Sequence, residues 1–129
     1  MTPAAALYHF FSTAVEGWEA YPETSVPSKA AGYDTDAAFP YMTYSIPTSA
    51  FNAGEVSASV NLWHRTRSES VMNDAADALY DAIGRGGVRI SFDGGFVWLK
   101  RGSPFAQAIA ETDPKIKRRY VNLTAEWMR

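Results

Sequence analysis

The sequence predicts a single α+β domain, residues 1–129, with an antiparallel sheet of about five strands and two main helices packed on one face. Three observations carry that expectation. Two stretches repeat apolar residues every three or four positions, while shorter ones alternate them with polar residues. The elements run helix, strands, helix, hairpin, strand, without the repeated strand-helix-strand crossovers of a doubly wound sheet. The 129 residues, 47% of them hydrophobic, suffice for one core and leave too little for two.

The first helix is expected from Pro3 to Trp18, where Leu7, Phe10, Phe11, Ala14, Val15 and Trp18 share one face. Thr2 is placed to cap it and Pro3 to occupy its first position, and Gly17 marks its end within a residue or two. Glu19 to Ala38 holds two X-Pro steps and a cluster of Ser, Gly and Asp with neither period, so it reads as an irregular loop at about 19–38 suited to a partner contact. Phe39 to Ile46, aromatic and β-branched with Pro at its start and stopped by Pro47, reads as a strand. A second strand follows, in which Val56, Ala58, Val60 and Leu62 alternate with Ser57, Ser59, Asn61 and Trp63.

Ser68 to Ile83 returns to helical spacing, with Val71, Ala75, Leu79, Ala82 and Ile83 on one side and Asn73, Asp74, Asp77 and Asp81 turned outward. Thr66 with Glu69, or Ser68 alone, supplies the N-terminal cap, and Gly84 ends the helix. Val88–Phe92 and Phe96–Lys100 flank Asp93-Gly94-Gly95, a tight hairpin. Ser103 to Glu111 is expected to hold a helical turn or two, and Tyr120 to Trp127 alternates again as the last strand.

Composition narrows the chemistry. Twelve Lys and Arg against 14 Asp and Glu leave a formal charge of −2, so no overall field draws the chain to a polyanion. The absence of Cys excludes disulfides, thiolate metal sites and a Cys nucleophile. The N-terminus lacks a basic n-region, and Tyr8, His9, Ser12 and Glu16 interrupt its apolar stretch, so neither a signal peptide nor a membrane span is expected.

His9 and His64, the only histidines, lie far apart and outside any HExxH or close-pair pattern, so no metal or cofactor is expected. Ser70 and Ser103 lack a nucleophile-elbow context, and no catalytic residue is assigned. Gly84-Arg85-Gly86-Gly87 follows a helix, the reverse of a phosphate cradle, and Asp74, Asp77 and Asp81 read as a solvated acidic face. The dense basic run is Lys115-Ile116-Lys117-Arg118-Arg119, which reads as a charged sheet edge or as a surface toward DNA or an acidic neighbour. Trp63 interrupts the polar set of its strand, and with Arg65, Lys115, Lys117, Arg118 and Arg119 it forms the expected interface or lumen set. An aromatic share of 14% suits an interaction protein.

The strand entry Phe39-Pro40-Tyr41, the strand ending Val60-Asn61-Leu62-Trp63-His64-Arg65, the capped helix with Ala75, Leu79 and Ile83, the hairpin, and Asp113-Pro114 leading into Arg118-Arg119-Tyr120-Val121 together resemble small tail proteins of long-tailed phages. More narrowly, the pattern is similar to the tail-terminator or tail-completion group, over about Phe39 to Trp127. Head-tail adaptor and minor tail proteins share much of it. The resemblance implies a structural α+β protein, not an enzyme, whose copies form a ring, commonly a hexamer. That ring caps the tail tube and contacts head-tail connector proteins, with non-specific DNA contact in the lumen. It implies a place in the virion tail, assembled in the host bacterial cytoplasm without a membrane partner. Two departures stand out: the 19–38 stretch is long for a helix-to-strand link, and Ser57, Ser59 and Asn61 occupy positions that are more acidic in the family. A reading from another class is a small ligand-binding or hydrolytic domain using His64 with Arg65 and Arg67 against an anionic substrate, which requires a pocket at His64. A DNA-binding regulatory module ranks last, because the best helix exposes aspartates.

Overall fold

The computed structural model describes residues 1–26, 39–48 and 50–129. It is α+β: helix α1 (Pro3–Ala14), strand β1 (Glu19–Pro22), a short 3-10 turn (Glu23–Ser25), β2 (Tyr41–Ser45), β3 (Glu55–Arg65), helix α2 (Glu69–Ile83), β4 (Val88–Phe92), β5 (Gly95–Ile109) and β6 (Ile116–Met128). The six strands form one sheet in the order β1-β2-β3-β6-β5-β4. The five expected strands, β2 to β6, pair antiparallel throughout.

Four expectations need correction. A sixth strand, β1, arises within the stretch read as a loop and pairs with β2 in parallel, so the sheet is mixed. Its reason is alternation too short to register: Ala20 turns into the core while Tyr21 faces the other way, against Tyr41. The rest of that stretch, from residue 27 to 38, lies outside the described residues. Helix α1 ends at Ala14, not Trp18, because Val15 is already extended and Gly17 takes a φ of +81°. Val15 and Trp18 still reach the core from the turn, which is why the helical spacing runs on through them.

Ser103 to Glu111 holds no helical turn: its residues through Ile109 continue β5 past a bulge between Arg101 and Ala106. Gly102 makes that bulge feasible, since a Cβ there would stand 2.6 Å from the Asn122 carbonyl oxygen. The last strand begins at Ile116, four residues earlier than expected, and takes the basic run into the sheet.

Caps explain the helix starts. The Thr2 hydroxyl accepts from the Ala5 N–H at 3.1 Å, and Ser68, not the Thr66–Glu69 pair, caps α2 by accepting from the Val71 N–H at 3.3 Å. The hairpin turns at Asp93-Gly94, with Gly94 at φ +89°.

One face of the sheet is covered. Val60, Leu62, Val97, Leu99, Val121 and Trp127 lie beneath Leu7 and Phe11 of α1 and Met72, Leu79 and Ile83 of α2 in one core. Helix α1 lies against both flanking strands, β1 and β4, so the sheet curls about it. The other face carries the alternate residues, among them Ser57, Ser59, Trp63, Arg118, Asn122 and Thr124.

Candidate assembly surface

The six residues singled out for an interface gather at one end of the sheet, where β3 ends and β6 begins. The ladder places Trp63 opposite Arg118, His64 opposite Lys117 and Arg65 opposite Ile116, and the Thr66 N–H donates to the Lys115 carbonyl oxygen at 2.7 Å. Because a strand alternates its side chains, the basic run divides between the two faces and does not form one patch.

On the open face, the Trp63 ring stacks on Tyr41 at 6.5 Å between centroids, and the Arg118 guanidinium lies 5.0 Å from the Trp63 ring centre. Arg118 Nε donates to Asn61 Oδ1 at 2.7 Å, and its Nη1 reaches Glu111 Oε1 at 3.4 Å. Trp63 Nε1 donates to Thr43 Oγ1 at 3.3 Å, which fixes the ring. Arg65, exposed, lies over Phe39 at 5.3 Å. Glu23, Val26, Thr43 and Asn61 join Tyr41, Trp63 and Arg118 around a concavity of about 270 Å³. A larger polar concavity of about 560 Å³ lies farther along the same face, lined by Ser45, Ser57, Ser59, Tyr120 and Thr124 among others.

On the covered face, Arg119 is buried and its Nη2 donates to Glu69 Oε2 at 2.6 Å and to Asn73 Oδ1 at 3.0 Å. Lys117 Nζ stands 3.0 Å from the other Glu69 oxygen. Hydrogen bonds from Arg119 and then Lys117 hold the Glu69 carboxyl below the usual carboxylate range. Glu69 therefore joins the start of α2 to the start of β6. Lys115 is exposed and makes no ion pair among the described residues.

His64 faces inward with its ring edge against Trp18, 5.8 Å between centroids, and its Nδ1 is buried without a hydrogen-bond partner. Burial lowers its pKa from the ordinary histidine value. Arg65 projects to the opposite face, so His64 and Arg65 do not converge on a common substrate position. Among the described residues, no group of three or more His, Asp or Glu could hold a metal ion, and no helix is long and apolar enough to cross a membrane.

Sequence reading missed Glu69, Asn73, Asn61 and Glu111 as partners of the basic run. A signal for the first two existed. Counting back by twos from Trp127 through Ala125, Leu123 and Val121 reaches Arg119, which places a guanidinium on the core face in need of an acid. Nothing local marks Asn61 or Glu111, which meet Arg118 only through strand pairing and the β5–β6 turn. The chain matches no protein-family model, and no curated protein shows significant sequence similarity to it.

Proposed function

We propose that this chain is a structural protein of a phage or prophage tail whose copies assemble into a ring, on the order of six subunits, that caps the tail tube and joins it to the head. Its partners are further copies of itself, the tail-tube protein and head-tail connector proteins, and it acts in the virion tail after assembly in the host bacterial cytoplasm. The observation that carries this reading is the order of motifs from Phe39 to Trp127, whose strands and hairpin pair in one continuous sheet with the helix packed on its covered face. Two further features support it. Tyr41, Trp63 and Arg118 at one end of that sheet form an aromatic and cationic cluster held by its neighbours, of the residue types that interfaces enrich. The histidine of the hydrolytic reading points away from Arg65 into the core.

Function here is assembly: strand edges and aromatic patches join neighbouring copies, and the basic end meets the lumen or the next component. A head-tail adaptor or minor tail protein would use the same surfaces with a different neighbour. Light-scattering mass across a concentration series, with and without tail-tube protein, tests the proposal. A multi-subunit species that binds the tube supports it. A monomer that ignores the tube at every concentration overturns it.

A further inference from the structure

Among the described residues the sheet has two unpaired flanks at the basic end, and they match. Strand β4 pairs with β5 only as far as Leu99, so among the described residues nothing pairs with the outer edge of Ala106–Ile109. At the other flank nothing described pairs with the outer edge of β1. The two edges occupy the same four rungs. Glu19 reaches Ile109 through Tyr41, Trp63 and Arg118, and Pro22 reaches Ala106 through Tyr44, Val60 and Val121. β1 runs from the first of these rungs to the last, and β5 runs the opposite way.

The flanks also differ in charge. Glu16, Glu19 and Glu23 are exposed around β1 without an ion pair among the described residues, whereas the β5 flank adjoins the basic run and its exposed Lys115. Pro104 and the bulge before Ala106 guard the edge upstream, but from Ala106 to Ala110 it carries neither a charged residue nor a Pro, so this part lacks the usual protection of a free strand.

We infer that β1 of one copy adds antiparallel to Ala106–Ile109 of the next, an inference that rests on the ring proposed above. Rotation about an axis along the strands places Glu19 opposite Ile109 and Tyr21 opposite Gln107 on the open face, and Ala20 opposite Ala108 on the covered face. The pairing is head-to-tail, because the two edges are different surfaces, and a head-to-tail contact builds a ring when its rotation closes. The acidic flank of each copy then meets the basic end of its neighbour. Pro22, lacking an N–H, sets the end of the ladder.

The absence of native cysteine makes the test direct. A Glu19→Cys, Ile109→Cys double variant, oxidised at high protein concentration, is expected to give a ladder of covalent oligomers. Each single variant alone should give none, and the two singles mixed should stop at dimers. Hydrogen exchange on the unaltered protein should show residues 19–21 and 106–109 gaining protection together as concentration rises. Covalent dimers from Ile109→Cys alone would mean that the edge pairs with itself, and would overturn the head-to-tail arrangement. Oligomers by scattering without cross-links or edge protection would leave the ring standing and remove this interface. A protein that is monomeric by scattering, with neither signal, would remove both.

Discussion

The two halves of β6 follow one alternation and use it for opposite ends. From Val121 to Trp127 every second residue is a buried apolar side chain, and Trp127, fully buried, also donates Nε1–H to the Pro47 carbonyl oxygen at 2.6 Å. From Lys117 to Arg119 the same geometry distributes cations, one to the open face and two toward α2. The apolar half gains by leaving water, which needs no particular partner. The charged half needs a partner for each side chain it turns inward, and it finds one in Glu69. A strand therefore carries both a stabilising end and a surface-forming end, and the change occurs within two residues, between Arg119 and Val121.

The widest test of this contrast is Trp127→Ala. Removing the indole, with its contacts to Phe51 and Phe92, is expected to lower stability by about 3–5 kcal/mol, read from the urea midpoint. Arg119→Met in the other half should cost less, about 1 kcal/mol, because its hydrogen bonds run to a carboxylate that is itself more than half exposed. A loss as large as that of Trp127→Ala would show that the basic end is part of the core.

Acid should separate the two charge arrangements. His64 is held neutral by burial, so the folded state takes up its proton later than the unfolded chain does. Stability is then full above the ordinary value of 6.5 and falls as pH drops below it. Glu69, with its pKa lowered by Arg119 and Lys117, contributes stability above the ordinary value of 4.5 that is lost as pH falls through its folded pKa. Urea midpoints measured from pH 7.5 to 3.5 should show both slopes, with His64→Phe flattening the upper one and Glu69→Gln the lower. The smallest effect on stability is expected for Lys115→Ala, within about 0.5 kcal/mol of the parent. Lys115→Glu should nevertheless weaken self-association measured by light scattering, since in the proposed pairing it places an acid opposite the glutamates of the next copy.

Much of the fold was legible because its signals are local. The spacing of Ala75, Leu79 and Ile83, the Ser68 cap, and the Asp93-Gly94 turn each act over a few residues, where helical repeat and backbone freedom leave little choice; Val71, expected on the same side, is exposed, and Met72 is buried in its place. Ser103 to Ile109 was misread because its bulge interrupts the alternation that would have marked a strand. β1 was missed because four residues, the last of them Pro22, carry almost no period. The site divides in the same way: Trp63 stood out as an aromatic in a polar row, while the split of the basic run required its strand to be seen as beginning at Ile116.

What the sequence determined by itself is the α+β class, the core faces of α2, β3 and β6, and the absence of thiol chemistry, because composition and periodicity act without reference to distant residues. The tertiary structure alone decided the parallel seat of β1, the pairing of Arg119 with Glu69 across 50 residues of chain, and the alignment on the same four rungs of two edges that are unpaired among the described residues. Each of those depends on register between segments far apart in the chain, and register is settled only when whole strands pair and a shared core selects which face turns inward.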